Sequence, residues 1–121
     1  MAVSNEFLQY VLEQLSGVPA LRARRMFGGI GLYSKDVFFG LIAEDTVYFK
    51  VDDGNRADYI QRGMQPFRPY RDRPELSMTY FAVPADTLED AEELAGWAGR
   101  SLEAAKRARE PRRTGTRRAK R

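Results

Sequence analysis

Between residues 22 and 51 the chain reads as four short apolar segments separated by breaks of only two residues. The segments span residues 22–27, 30–34, 37–43 and 46–51, and the breaks are Gly28-Gly29, Lys35-Asp36 and Glu44-Asp45. A connection of two residues leaves room only for an antiparallel neighbour, because a parallel crossover consumes about a dozen residues or more. In the last segment Val47, Phe49 and Val51 alternate with Thr46, Tyr48 and Lys50. That period of two places one face against a core and the other against water. An antiparallel meander is therefore fixed before any other part of the chain is considered.

The flanking segments read as helices. Ser4 or Asn5 can cap a first helix over residues 5–16, in which Phe7, Leu8, Val11, Leu12 and Leu15 form one apolar stripe before Gly17 and Pro19 end it. A short helix over 55–62 follows Asp52-Asp53, with acidic residues at its positive end and Gly63 as its stop. Pro66, Pro69 and Pro74 mark residues 64–76 as a loop, and the alternation in 77–83 predicts a fifth strand ended by Pro84. Asp86 with Glu89, or Thr87 with Asp90, offers a capping box for one last helix carrying Leu88, Ala91, Leu94, Ala95, Ala98 and Leu102 to about residue 107. The expectation is an α+β fold of two layers, an antiparallel sheet of about five strands flanked by N- and C-terminal helices.

Composition narrows the function. The 121 residues suit one domain, and 43% hydrophobic residues with seven Phe and six Tyr are ample for a core. No run of apolar residues is long enough to span a bilayer, the N-terminus lacks a signal-peptide pattern, and cysteine is absent, so a cytoplasmic location is expected. With neither His nor Cys there is no imidazole base, no thiol nucleophile, and no ordinary zinc or iron–sulfur site. A protein without enzymatic activity, cofactor or transition metal is expected.

Charge is distributed unevenly. Residues 106–121 hold nine basic side chains and one acidic, a net of +8, which leaves residues 1–105 with 11 basic and 16 acidic side chains, a net of −5. The division predicted is a domain over 1–105 and a basic, disordered tail over 106–121. Arg107, Arg109, Arg112, Arg113, Arg117, Arg118, Lys120 and Arg121 can neutralise phosphates without regard to base sequence, or can simply keep the chain in solution. Both readings stand at this point.

Other motifs have plainer explanations. Gly28-Gly29-Ile30-Gly31 resembles a phosphate loop, but a strand follows where such a loop needs a helix, so a turn or bulge is expected. Asp52-Asp53-Gly54-Asn55 lacks the mid-loop Gly and the final Glu of a calcium loop and suits a helix start. Arg22, Arg24, Arg25 and Lys50, with Tyr33 and Tyr48, sketch a basic aromatic sheet face for single-stranded nucleic acid. Against this, Arg24 and Arg25 must point to opposite faces. A wet face laced by salt bridges, or a face that pairs with another subunit, accounts for the same residues.

The run Arg24-Arg25-Met26-Phe27-Gly28-Gly29-Ile30-Gly31-Leu32-Tyr33 resembles the signature of the TfoX/Sxy N-terminal domain. So does Val47-Tyr48-Phe49-Lys50-Val51-Asp52 with Asn55-Arg56 following, then Gly63 with Pro66-Phe67, Tyr80 with Val83-Pro84, and Leu94 with Trp97-Ala98. The matches lie in family order over roughly residues 5–105, with Arg25, Met26, Phe27, Gly28, Gly29, Gly31 and Lys50 as the motif positions. The resemblance implies an antiparallel sheet flanked by helices, in bacterial proteins linked to natural transformation and transcription. It is to the N-terminal domain alone, so a stand-alone domain without the regulators' C-terminal helical domain is expected. The function expected is a TfoX-like regulatory protein acting through protein contacts and nonspecific DNA contacts of its tail. The alternative is a homodimeric interaction module with no nucleic-acid role.

Overall fold

The computed structural model describes residues 3–26, 28–67 and 79–109. The expectations for Phe27, residues 68–78 and residues 110–121 lie outside the described residues. The first helix, α1 (Asn5–Gln14), begins where the Ser4 hydroxyl accepts the Phe7 N–H at 3.1 Å. The Ser4 N–H is itself held by Asp45 at 3.0 Å, which ties the helix start to the sheet. Val11 and Leu15 are fully buried, with Phe7, Leu8 and Leu12 packed around them, as the apolar stripe required.

Four strands follow in a meander: β1 (Leu21–Met26), β2 (Gly29–Ser34), β3 (Val37–Ala43) and β4 (Thr46–Lys50). The two connections after β2 and β3 place both central residues at positive φ, Lys35 and Asp36 at 50° and 68°, Glu44 and Asp45 at 52° and 56°. This is the type I′ geometry whose twist matches that of the flanking strands. The first connection lies one residue earlier than the Gly28-Gly29 break suggests. Met26 pairs with Gly29, so Gly29 opens β2, and of the two glycines it is Gly28 that takes the left-handed conformation, at φ 81°. The short helix α2 (Arg56–Gln61) then leads back to β5 (Tyr80–Ala82), which joins β4 antiparallel and completes a five-stranded sheet in order β1-β2-β3-β4-β5. Residues 65–67 run along the far side of β5, where the Phe67 N–H donates to Tyr80 and the Ala82 N–H to Gln65.

The pairing of β2 with β3 slips between Leu32 and Tyr33, because Leu32 opposes Gly40 while Tyr33 opposes Phe38. Phe39 is the extra residue of a bulge. Its ring is fully buried 5.5 Å from that of Phe49. The single last helix expected from the stripe is two helices. Asp90 is extended (φ −112°, ψ 101°) between α3 (Ala85–Glu89) and α4 (Ala91–Arg109), and its carboxylate accepts the Glu92 and Glu93 N–H groups at 3.1 Å. A short acidic side chain that can satisfy a helix start competes with continuing the helix, and here it wins.

All helices lie on one face. Leu94, Ala98, Ser101, Ala104 and Ala105 are the buried face of α4, and their small side chains let the helix approach the sheet closely. The Trp97 ring meets Tyr59 edge-on at 4.7 Å, and Tyr59 lies 5.8 Å from Phe81. Asn55, almost wholly buried, holds the β4–α2 corner: its side chain accepts the Asp52 N–H at 2.8 Å and donates to the Lys50 carbonyl at 3.1 Å.

Candidate interaction surface

Strand alternation sends Ile30, Leu32, Ile42, Val47, Phe49 and Phe81 into the core under the helices. The neighbours between them form the opposite, outer face of the sheet. There Arg24 of β1 stands opposite Gly31, Tyr33 of β2 opposite Phe38 of β3, and Lys50 of β4 opposite Tyr80 of β5. Tyr33, Phe38, Tyr48, Lys50, Phe67 and Tyr80 are all half-buried.

The rings form a row of three and a separate pair. Tyr33 and Phe38 lie 5.2 Å apart, Phe38 and Tyr80 5.8 Å, and Tyr48 and Phe67 4.8 Å. Arg24 covers the Tyr33 ring at 5.9 Å, and the Lys50 ammonium sits 5.1 Å from the Tyr80 ring centre. Burial lowers the pKa of Lys50, an effect opposed by nearby Asp52, and raises that of Tyr80 to about 12, with Tyr33 adding to the rise. The Tyr48 phenol is pushed up by burial and then by Glu44.

The expected residues are only partly brought together. Arg22, Arg24, Tyr33, Tyr48 and Lys50 share the outer face, but Arg22 is held by Asp36 at 3.1 Å. Arg25 stands opposite Ile30 and so belongs to the helix side, exposed at the edge. Phe38 and Tyr80 complete the aromatic row. Phe38 was hidden in the sequence by the bulge, which breaks the alternation of β3.

The motif glycines have steric roles in the sheet. A Cβ on Gly29 would lie 2.6 Å from the Ile42 carbonyl oxygen, and one on Gly31 would lie 2.9 Å from Met26 Cε and 3.1 Å from the Phe38 ring. Gly31 thus gives Met26 and Phe38 room to lie across the outer face. No helix follows this hairpin, so it does not form a phosphate loop. The acidic corner is likewise structural. Asp52 accepts the Gly54 N–H at 2.8 Å and two bonds from Arg107 at 2.7 and 2.8 Å, while Asp53 pairs with Arg56. Among the described residues no group of three acidic side chains is placed to hold a metal ion, and no helix is long and apolar enough to cross a membrane.

Helix α4 carries on through Arg109, past the expected boundary at residue 105, so Arg107 and Arg109 belong to the helix. Arg107 is already engaged with Asp52. The other six basic residues of the expected tail, Arg112, Arg113, Arg117, Arg118, Lys120 and Arg121, lie outside the described residues.

The Asp52–Arg107 pair has a defined acid response. Hydrogen bonding to Arg107 comes first among the causes that hold the Asp52 carboxyl below its ordinary value. A lowered folded-state pKa stabilises above the unfolded value, and the contribution is lost as pH falls through the folded value. Because the pair is largely exposed, Arg107→Gln is expected to cost at most about 1 kcal/mol at neutral pH. The difference should vanish in acid, as urea midpoints at both pH values will show.

A sequence-family model for the TfoX N-terminal domain matches residues 13–105, most of the chain. The chain belongs to the TfoX N-terminal domain family. The match spans all five strands and the helices α2 and α3. In this TfoX domain, therefore, the Arg25–Gly31 motif is the β1–β2 hairpin, and Lys50 ends β4 on the outer face. No curated protein matches the chain.

Proposed function

We propose that this TfoX-family chain is a regulatory binding protein that acts without catalysis and contacts DNA nonspecifically through its basic segment. The observation that carries the reading is charge placement. On the helices, cations are matched with carboxylates: Arg62 with Asp86, Arg100 with Asp58, Arg107 with Asp52. Residues 110–121 instead hold six basic side chains against Glu110 alone. The absence of His and Cys from the whole chain supports a binding role over a catalytic one. The family membership supports a place in competence or transcription, and the sequence pattern supports a cytoplasmic one.

The homodimer alternative has less support at the sheet edge. The edge strand β1 carries Arg22, Arg24 and Arg25, and antiparallel pairing of two copies there would bring like charges together. Titration of labelled duplex DNA with the full chain and with a chain ending at Arg109, across salt concentrations, tests the proposal.

A further inference from the structure

Arg24 and Lys50 differ from most cations of the fold. Each lies over a ring, Tyr33 and Tyr80 respectively, and neither is paired with a carboxylate among the described residues. Beside them Tyr33, Phe38 and Tyr80 make an aromatic row, with successive centroids 5.2 and 5.8 Å apart. Among the described residues no outward-facing strand position carries a carboxylate; Asp36 and Glu44 stand in the turns at the two ends of the face. Aromatic rings flanked by cations that form no ion pair among the described residues match a chain of flat bases joined by phosphates.

We infer that the outer sheet face is a stacking platform for single-stranded nucleic acid, with bases on Tyr33, Phe38 and Tyr80 and phosphates at Arg24 and Lys50. The proposal extends the nucleic-acid reading above and rests on it only for the contribution of residues 110–121. A duplex hides its base faces, whereas a single strand offers them to rings without sequence preference. The negative balance of residues 1–105 does not forbid this. Most of those carboxylates lie in turns or on the helix side, and at physiological salt charges are screened over about 8 Å. Helix α4 ends at the margin of this face, where Ala105 and Ala108 border the same cleft as Asp36, Phe38, Lys50 and Tyr80.

The test is fluorescence anisotropy of labelled oligo(dT) and of a duplex of equal length, with the full chain and with Phe38→Leu, Tyr80→Leu and Arg24→Gln. Leucine keeps the apolar bulk and removes the ring face; circular dichroism and thermal unfolding check that each variant folds. Each Leu variant is expected to weaken oligo(dT) binding roughly five-fold or more while leaving duplex binding unchanged. Arg24→Gln is expected to reduce the single-strand salt slope by about 0.7. The chain ending at Arg109 separates the two readings. Residual oligo(dT) binding that Phe38→Leu abolishes supports the face even if the basic segment proves inert. Equal binding of oligo(dT) by the full chain and all folded variants overturns the face while leaving the segment's role intact. Sedimentation showing that the Leu variants turn a dimer into monomers, with no effect of oligo(dT), also overturns it and assigns the face to a second copy.

Discussion

A chain ending at Arg109 is expected to lose its affinity for duplex DNA while keeping its fold. The cut removes no described element, since α4 closes at Arg109, and it spares the Arg107–Asp52 bridge. What it removes is Arg112, Arg113, Arg117, Arg118, Lys120 and Arg121, with Glu110 as the one opposing charge. Each phosphate neutralised contributes about 0.9 to the dependence of log K on log salt, so five or six contacts give a slope of roughly −4.5 to −5.5 for the full chain. Between 50 and 200 mM salt the affinity should then fall by about a thousand-fold. Scrambling the duplex sequence should change little, because contacts to phosphate carry no base information. Equal binding by the truncated chain would move the duplex site onto the fold.

Phe49→Ala is expected to cost about 3–5 kcal/mol, a large share of the roughly 5–15 kcal/mol that holds a domain together. Phe49 is fully buried, opposes Gly40 and Phe81 across β4's two neighbours, and packs its ring 5.5 Å from Phe39. Its removal leaves a cavity between sheet and helices that rigid strands cannot close. Tyr48 is the adjacent residue but points to the outer face, half-buried against Phe67. Tyr48→Ala should therefore cost less than half as much. Urea denaturation of the two variants checks this, and equal losses would mean that the two faces of the sheet have been assigned wrongly.

The sequence was legible where a local rule acts without competition. Two-residue breaks dictate antiparallel pairing, so the meander was readable, and Ser4 and the Val11–Leu15 stripe specify α1 without reference to the rest of the chain. Three features were hidden. The bulge at Phe39 breaks the alternation of β3, because Phe39 and Gly40 both turn inward and Phe38 is left outward. The break at Asp90 was masked by an apolar stripe that runs through both α3 and α4. Gly28-Gly29 read as a symmetrical turn, yet only Gly28 needs the left-handed conformation, while Gly29 is fixed by its approach to the Ile42 carbonyl. The outer face was half legible. Tyr33, Tyr48, Arg24 and Lys50 stood out by type and period, but the aromatic row depends on Phe38 and Tyr80, and register places these beside them.

The central claim is a division of labour, with duplex DNA touching the basic segment alone and a single strand also engaging the outer sheet face. The most direct measurement is an amide-resolved NMR titration of the isotope-labelled full chain with duplex and with oligo(dT) of equal length. Duplex should perturb amides of residues 110–121 and leave the sheet unchanged. Oligo(dT) should perturb those amides together with Arg24, Tyr33, Phe38, Lys50 and Tyr80. Perturbation of the helix side at α1 and α4, or a sheet left unmoved by oligo(dT) while residues 110–121 respond equally to both ligands, would contradict the claim.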